Sequence, residues 1–136
     1  MLINQIAVFL ENRQGRLSQL CNVLAQNGVN LKTMSIADTN DFGILRALTD
    51  DNDKAEKVLK DAGFTVSRAD LLGVEVEDEP GCLAEVLKQL DVDGVNIEYL
   101  YSFATRKGKA VILFKVEDNA ATLDILKKNG VTLFEE

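Results

Sequence analysis

The fold is decided by a stretch that the sequence carries twice, Glu11-Asn12-Arg13-Gln14-Gly15-Arg16-Leu17 and Glu77-Asp78-Glu79-Pro80-Gly81-Cys82-Leu83. Each copy joins an apolar run to an amphipathic segment and places a glycine just before that segment. The two copies are 66 positions apart, and the same offset relates Asn30 to Asn96. The sequence therefore predicts one structural unit written twice, at residues 1–70 and 71–136.

Length and composition narrow the class of protein. The chain has 136 residues, of which 46% are hydrophobic and 27% charged, as in an ordinary soluble globular protein. A net charge of −7 without a basic stripe argues against nucleic-acid binding. No apolar run approaches membrane-spanning length. Units of about 66 residues are marginal alone, so we expect the halves to pack on each other.

Residue chemistry excludes several functions. The sequence contains no histidine, so it cannot supply a Ser-His or Cys-His pair or an imidazole metal ligand. Its two cysteines do not make a disulfide framework, which favours a reduced, cytoplasmic setting. We expect Cys21 to lie in the core and Cys82 to be structural. We predict no catalytic residue, no metal site and no cofactor.

Hydrophobic periodicity predicts the elements of repeat one. Residues 3–10 read as a strand, 17–26 as a helix with apolar positions at i, i+3, i+4 and i+7, and 29–37 as a second strand. A polar turn at 38–41 and a strand at 42–49 complete a hairpin. A second helix precedes Gly63, and a fourth strand begins at residue 64.

Repeat two follows the same order, with strands at 72–76, 95–105, 110–116 and 131–134 and two intervening helices. Residues 67–70 join the halves without a flexible linker. The β-α-β-β-α-β order predicts an α+β fold: two ferredoxin-like units packed side by side, each an antiparallel sheet with its helices on one face.

The repeated turn suits a small anion. A helix start leaves backbone N–H groups unpaired and carries partial positive charge, and a preceding glycine lets a ligand approach the backbone. Asn12 and Asn30 can accept hydrogen bonds from an ammonium group. Together these groups match the head group of an α-amino acid. A plain helix cap and turn explains the same spacing, and from the residues alone that alternative is the favoured one.

The pattern Asn-Arg-Gln-Gly-Arg-Leu followed by Asn-Gly-Val-Asn-Leu resembles the ACT domain, a regulatory amino-acid-binding module. Asp-Glu-Pro-Gly-Cys-Leu followed by Gly-Val-Asn-Ile resembles it again, so the resemblance covers nearly the whole chain as two tandem copies. Repeat one is most similar to the serine-binding ACT domain of phosphoglycerate dehydrogenase. Gln14 replaces the usual proline, and Leu10 stands where that serine site carries a histidine.

The resemblance implies the ligand-binding residues. In the family, the first loop of one unit faces the second strand of another, which predicts mixed sites that pair Asn12 with Asn96 and Asp78 with Asn30. The implied residues are Asn12, Arg13, Gln14, Gly15, Arg16, Leu17 and Asn30 in repeat one and Asp78, Pro80, Gly81, Cys82, Leu83 and Asn96 in repeat two. Because loop one carries arginines and loop two is acidic, we expect the loop-one site to bind a free amino acid better.

The resemblance also implies the function. Because the chain begins and ends close to its terminal strands, we expect a stand-alone regulatory amino-acid sensor without catalysis. It would form a homodimer and pass its signal to a partner such as an amino-acid biosynthetic enzyme. Two alternatives stay open: a ligand-free dimerisation or docking module serving as accessory subunit of a metabolic enzyme, and a phosphatase-type enzyme.

Overall fold

The structure is a computed structural model that describes residues 2–38 and 41–135; for residues 38 and 104–106 it describes the backbone alone. The elements in chain order are β1 (Ile3–Glu11), α1 (Arg16–Gln26), β2 (Leu31–Asp38), β3 (Phe42–Thr49), α2 (Asn52–Asp61), β4 (Thr65–Glu77), α3 (Cys82–Val92), β5 (Tyr99–Arg106), β6 (Lys109–Lys115) and α4 (Asn119–Lys128). The predicted turn at 38–41 lies partly outside the described residues.

The chain divides into two compact units. The first unit is Asn4–Ala69, and the second unit combines Met1–Ile3 with Asp70–Glu136. The strand order in the first unit is β2-β3-β1-β4, and β3 is antiparallel to both β1 and β2. In the second unit β6 lies antiparallel between β4 and β5. These are the predicted ferredoxin-like α+β units; the predicted domain limits of 1–70 and 71–136 stay a prediction.

Each unit has its own core between one face of its sheet and its two helices. Alternate residues of a strand point to opposite faces, so every second residue of β1 enters the first core. That core contains, among its buried residues, Ile6, Val8, Leu10, Leu20, Leu24, Leu45, Ala47, Ala55 and Leu59. Cys21 is half-buried and packs against this core, as predicted, and both cysteines are free thiols. The second core is built in the same way from β4, β6, α3 and α4.

The helix ends follow from local sequence. At the end of α1, Gly28 takes a left-handed φ of 70° and donates its N–H to the Ala25 carbonyl at 3.1 Å, while Val29 N–H reaches the Leu24 carbonyl at 2.9 Å. These two bonds satisfy carbonyls that would otherwise lack partners. At the start of α2, the Asp51 side chain accepts a hydrogen bond from Lys54 N–H at 3.0 Å, as a helix-capping aspartate does.

Three regions differ from the sequence-based expectations by more than two residues. The two units divide between Ala69 and Asp70, within the predicted join at residues 67–70, but the predicted strands on either side of this join form one strand, because β4 runs unbroken from Thr65 to Glu77. The second predicted strand of repeat two begins at Tyr99 rather than at residue 95. The last predicted strand is reduced to a single bridge between Leu133 and Val74, with Phe134 N–H donating to the Gly73 carbonyl at 2.8 Å.

Candidate functional site

The loop between β1 and α1 is fixed at both ends by the backbone. Asn12 N–H donates to the Asp41 carbonyl at 2.9 Å, which ties the loop to the start of β3. Gly15 then precedes the helix with a left-handed φ of 87°, where an N-cap residue is usually extended. Glycine offers no side chain to cap the first turn, so the N–H groups and positive dipole of α1 face the loop.

The loop between β4 and α3 repeats this geometry. Asp78 N–H donates to the Gly108 carbonyl at 2.8 Å, at the position equivalent to the first bond. Gly81 precedes α3 with a φ of 92° and again no side-chain cap. The backbone of the two loops is therefore alike, although the first has Gln14 where the second has Pro80.

A small cavity opens at the first loop, beside the start of α1. Its volume is about 140 Å³, and it is lined by Leu10, Glu11, Asn12, Arg13, Leu17, Ile36 and Gly43. A cavity of roughly 150 Å³ accommodates a molecule the size of benzene. The space therefore suits a ligand of about that size, and its walls combine polar side chains (Glu11, Asn12 and Arg13) with aliphatic ones (Leu10, Leu17 and Ile36).

The charges around this cavity are arranged about Glu11. One of its carboxylate oxygens lies 3.2 Å from Nε of both Arg13 and Arg16. The Arg16 side chain is only 11% exposed, and its guanidinium carbon lies 3.9 Å from the centre of the Phe64 ring. Its Nη1 also donates to Gln19 Oε1 at 2.9 Å. Arg16 is thus held against the protein, whereas the side chain of Arg13 is 66% exposed.

Asn30 lies at the other end of the first unit. The register pairs Glu11 with Phe42 at the loop end of the sheet and Leu31 with Thr49 at the opposite end. The 11 residues of α1 separate the two ends by about 16 Å. Asn30 N–H donates to Asp50 Oδ1 at 2.9 Å. One unit therefore does not bring its own Asn12 and Asn30 to the same small ligand.

In the second unit, Asn96 also lies away from the loop that resembles a ligand site. It lines a larger groove of about 500 Å³, together with Asp93, Gly94, Val95, Glu98, Val116, Glu117, Asp118, Ala121, Thr122 and Ile125. None of the implied loop residues Asp78, Pro80, Gly81, Cys82 and Leu83 lines this groove. The repeat thus preserves the separation of loop and asparagine.

The second loop differs from the first in charge. Glu77 forms an ion pair with Lys109, and the hydrogen bond from Lys109 to Glu77 raises the pKa of that lysine above its usual value. The net charge of Glu77, Asp78, Glu79 and Lys109 together is −2. At the first loop, the net charge of Glu11, Arg13 and Arg16 is +1. In the described part of the chain, no group of three or more acidic or cysteine side chains is placed to hold a metal ion.

The cavity brings together three of the residues implied by the resemblance, Asn12, Arg13 and Leu17. Gln14, Gly15 and Arg16 shape the loop without lining the cavity. Four lining residues were not among the implied ones: Leu10 and Glu11 at the end of β1, and Ile36 and Gly43, which come from β2 and β3. Strand pairing was the signal that could have found them, since the register sets Gly43 opposite Leu10.

Comparisons with known proteins agree with this architecture. The sequence profile of the ACT domain pair matches residues 1–136. The crystal structure of protein BT0572 from Bacteroides thetaiotaomicron is 41% identical, with a TM-score of 0.92 over 98% of this chain and 92% of that one. The ligand-free regulatory subunit of aspartate kinase from Thermus thermophilus shares the fold at 16% identity, with a TM-score of 0.65 over 92% of this chain and 91% of that chain.

Two further findings complete the comparison. No curated protein matches the chain. Among the described residues, none of the helices is long and apolar enough to cross a membrane. The match over residues 1–136 and the 41% identity to a structure of nearly equal length define the relationship. This chain belongs to the ACT domain pair family.

Proposed function

We propose that this protein is a regulatory amino-acid sensor without catalysis of its own. The observation that carries the proposal is the cavity of about 140 Å³ at the first loop, where Asn12 and Arg13 lie beside the uncapped start of α1. Similarity of fold to a regulatory subunit of aspartate kinase supports a regulatory role. The finer similarity to the serine-binding domain of phosphoglycerate dehydrogenase stays a prediction.

The proposed ligand is the head group of a free α-amino acid. Backbone N–H groups at the start of α1 and the exposed Arg13 suit its carboxylate. The amide oxygen of Asn12 and the carboxylate of Glu11 suit its ammonium group. Leu17 and Ile36 then contact the side chain of the ligand, so their size limits which amino acids fit.

A thermal-shift screen of the twenty amino acids at millimolar concentration tests the proposal. A ligand present at about 100 times its Kd adds roughly 2.7 kcal/mol of stability and raises the midpoint by several degrees. We expect at least one hit, lost in Asn12→Ala and kept in Asn22→Ala, which removes an exposed asparagine from the middle of α1. No shift with any amino acid would refute the sensor.

The mixed pairing of Asn12 with Asn96 and of Asp78 with Asn30 stays a prediction of the resemblance. Isothermal titration distinguishes these mixed sites from sites formed by each loop alone, because it counts the sites that each double variant retains. If the pairing holds, Asn12→Ala with Asn96→Ala abolishes one class of site and spares the other. Asn12→Ala with Asn30→Ala should then weaken both classes. The reverse pattern would show that the asparagines do not pair in this way.

The charge difference between the loops predicts which site is stronger. We propose that the first loop, with its exposed Arg13, binds the ligand carboxylate better than the acidic second loop does. Arg13→Glu combined with Asp78→Asn should reverse the order of the two measured affinities. An unchanged order would show that electrostatics does not rank the sites.

The second candidate function is a dimerisation or docking module that acts as accessory subunit of a metabolic enzyme. It is favoured by one observation: several large apolar side chains of the first unit are about 40% exposed, including Phe9, Met34 and Phe42. Either function requires a partner to receive the signal, and an amino-acid biosynthetic enzyme is the proposed class. Ligand-induced stabilisation separates the two, since a ligand-free module shows none.

A further inference from the structure

Gly43 of β3 is a glycine that its backbone conformation does not require. Of the nine glycines in the sequence, seven have a left-handed φ, and Gly43 and Gly73 do not. Glycine inside a strand weakens it and often marks a place that a ligand or another backbone approaches closely. The chain's own packing explains Gly73, because an added Cβ would lie 2.6 Å from Ile3 Cδ1. Gly43 needs a different explanation.

The protein itself leaves room for a side chain at Gly43. An added Cβ would lie 3.4 Å from Cγ2 of Ile36 and from the Ala37 carbonyl oxygen, and 3.7 Å from the Leu10 carbonyl oxygen. These are ordinary van der Waals contacts rather than clashes. Packing inside the first unit therefore does not require a glycine at this position.

The second unit has an alanine at the equivalent position. Ala110 of β6 pairs with Val76 of β4 as Gly43 of β3 pairs with Leu10 of β1. The fold thus accommodates a methyl group here, and the first unit lacks it. In the first unit the space that the methyl group would occupy belongs to the cavity at the first loop, which Gly43 lines.

The part of the cavity around Gly43 is apolar. The aliphatic side chains that line the cavity are those of Leu10, Leu17 and Ile36. Asn12, which is one of the polar lining residues, follows Leu10 by two positions, a distance of about 7 Å along an extended chain. A ligand with its head group at Asn12 therefore needs a side chain that reaches back to Gly43, and an alkyl group suits these walls.

The volume of the cavity limits the size of that side chain. The whole cavity, at about 140 Å³, is no larger than one that a benzene ring fills. An aromatic side chain would take up the space that the head group needs beside the loop. A charged side chain would lose its water against the aliphatic walls without gaining a partner.

We propose that Gly43 admits the side chain of the ligand and that the ligand is an amino acid with a branched aliphatic side chain, as in valine, leucine and isoleucine. This inference rests on the proposed sensor function and names its ligand class. The head group is bound at the loop, and the branched alkyl group lies beside Gly43, between Leu17 and Ile36. A Cβ on residue 43 would occupy part of the space that the alkyl group fills.

The test is isothermal titration of the full chain with each of the twenty amino acids. We expect a branched aliphatic amino acid to bind at least 10-fold more tightly than alanine, because each methylene group in an apolar pocket contributes roughly 10-fold or more. Gly43→Ala should weaken that ligand at least 10-fold and leave the affinity for alanine unchanged, since the shorter side chain does not reach residue 43.

Two further variants complete the test. The matched control is Ile44→Ala, because Ile44 is the next residue of β3 and its side chain points to the opposite face of the sheet. That variant should bind like the wild type. Ile36→Ala enlarges the cavity from the opposite wall, so it should weaken the branched ligand and let phenylalanine bind. Circular dichroism establishes that each variant is folded.

The outcomes separate this inference from the sensor function. If no amino acid binds the wild type, both are overturned. If an amino acid without a branched aliphatic side chain binds most tightly, the ligand class is wrong and the sensor function stands. The role of Gly43 is overturned if Gly43→Ala keeps the affinity of the branched ligand, or if Ile44→Ala lowers it as much.

Discussion

Replacing Gly15 with alanine should destabilise the protein through the backbone alone. Gly15 has a φ of 87°, and a Cβ added there meets no atom within 4 Å. Steric crowding in the environment therefore contributes nothing. What remains is the conformational preference of an L-residue, which disfavours the left-handed region by about 1–2 kcal/mol.

The expected net effect is about 1 kcal/mol. Alanine also restricts the unfolded chain, which offsets roughly 0.4–1 kcal/mol of the penalty. Alanine is also a poorer N-cap residue than glycine, and this adds to the loss of stability. For a chain of this length the change lowers Tm by about 3 °C. Gly15→Asn should cost less than half as much, because asparagine tolerates left-handed backbone and can cap the helix.

Differential scanning calorimetry and urea unfolding measure both variants. Ser18→Ala provides the control, since Ser18 is an exposed helical residue three positions further along α1 and the change should fall within about 0.5 kcal/mol. Gly81→Ala should reproduce the Gly15 result in the second unit, where φ is 92° and the surroundings are again open. Equal stability of wild type and Gly15→Ala would refute the left-handed conformation of Gly15. It would also refute the inference that the backbone N–H groups at the start of α1 face the loop.

Three further outcomes are expected. Gly73→Ala should lower stability by about 1–3 kcal/mol in urea unfolding, because the new Cβ would lie 2.6 Å from the Ile3 Cδ1 atom; a neutral result would mean that this contact relaxes freely. Glu77→Gln should lower the raised pKa of Lys109 in an NMR titration; the stabilisation by this pair is present at neutral pH and is lost as pH rises through the folded-state pKa, so an unmoved pKa contradicts its cause. Asp118→Ala should cost about 1 kcal/mol by calorimetry, because its side chain caps α4 through a hydrogen bond of 3.0 Å; no loss would show that the cap is not formed.

The fold was predictable from the sequence because its signals are local and occur twice. The apolar positions of α1 at Leu17, Leu20 and Leu24 fix which side of the helix faces the sheet, and the structure buries the last two. The structure starts α1 one residue before the predicted position. Glycines at the loop and at the helix ends set the limits of the other elements in the same way.

The limits of β4 and β5 were not predictable from those signals. Ser67 and Asp70 are typical of a turn, yet both lie within a strand that the sheet holds extended, so tertiary pairing outweighed local preference. Val95 and Ile97 are typical of strand residues but precede β5, since they pack against the second core instead.

The cavity was predictable only from the loop side. Asn12, Arg13 and Leu17 follow from the repeated motif, whereas Ile36 and Gly43 reach the cavity through the pairing of three strands. The ion pairs of Glu11 were also beyond the sequence, because Glu11 and Arg16 are separated by a turn whose path depends on Gly15. The repeated motif therefore predicts the loop residues of the cavity, whereas the pairing of the strands determines its remaining lining residues.

The uninterrupted strand β4 runs through both units. Its residues up to Ala69 belong to the first unit and those from Asp70 to the second, and Ile3 at the start of β1 also belongs to the second unit. We therefore expect the loss of either unit to destabilise the segment of β4 that continues into the other unit. Calorimetry should therefore give a single transition, and limited proteolysis should spare the bond between Ala69 and Asp70. A ligand that stabilises the first loop would then protect amides throughout the second unit from hydrogen exchange.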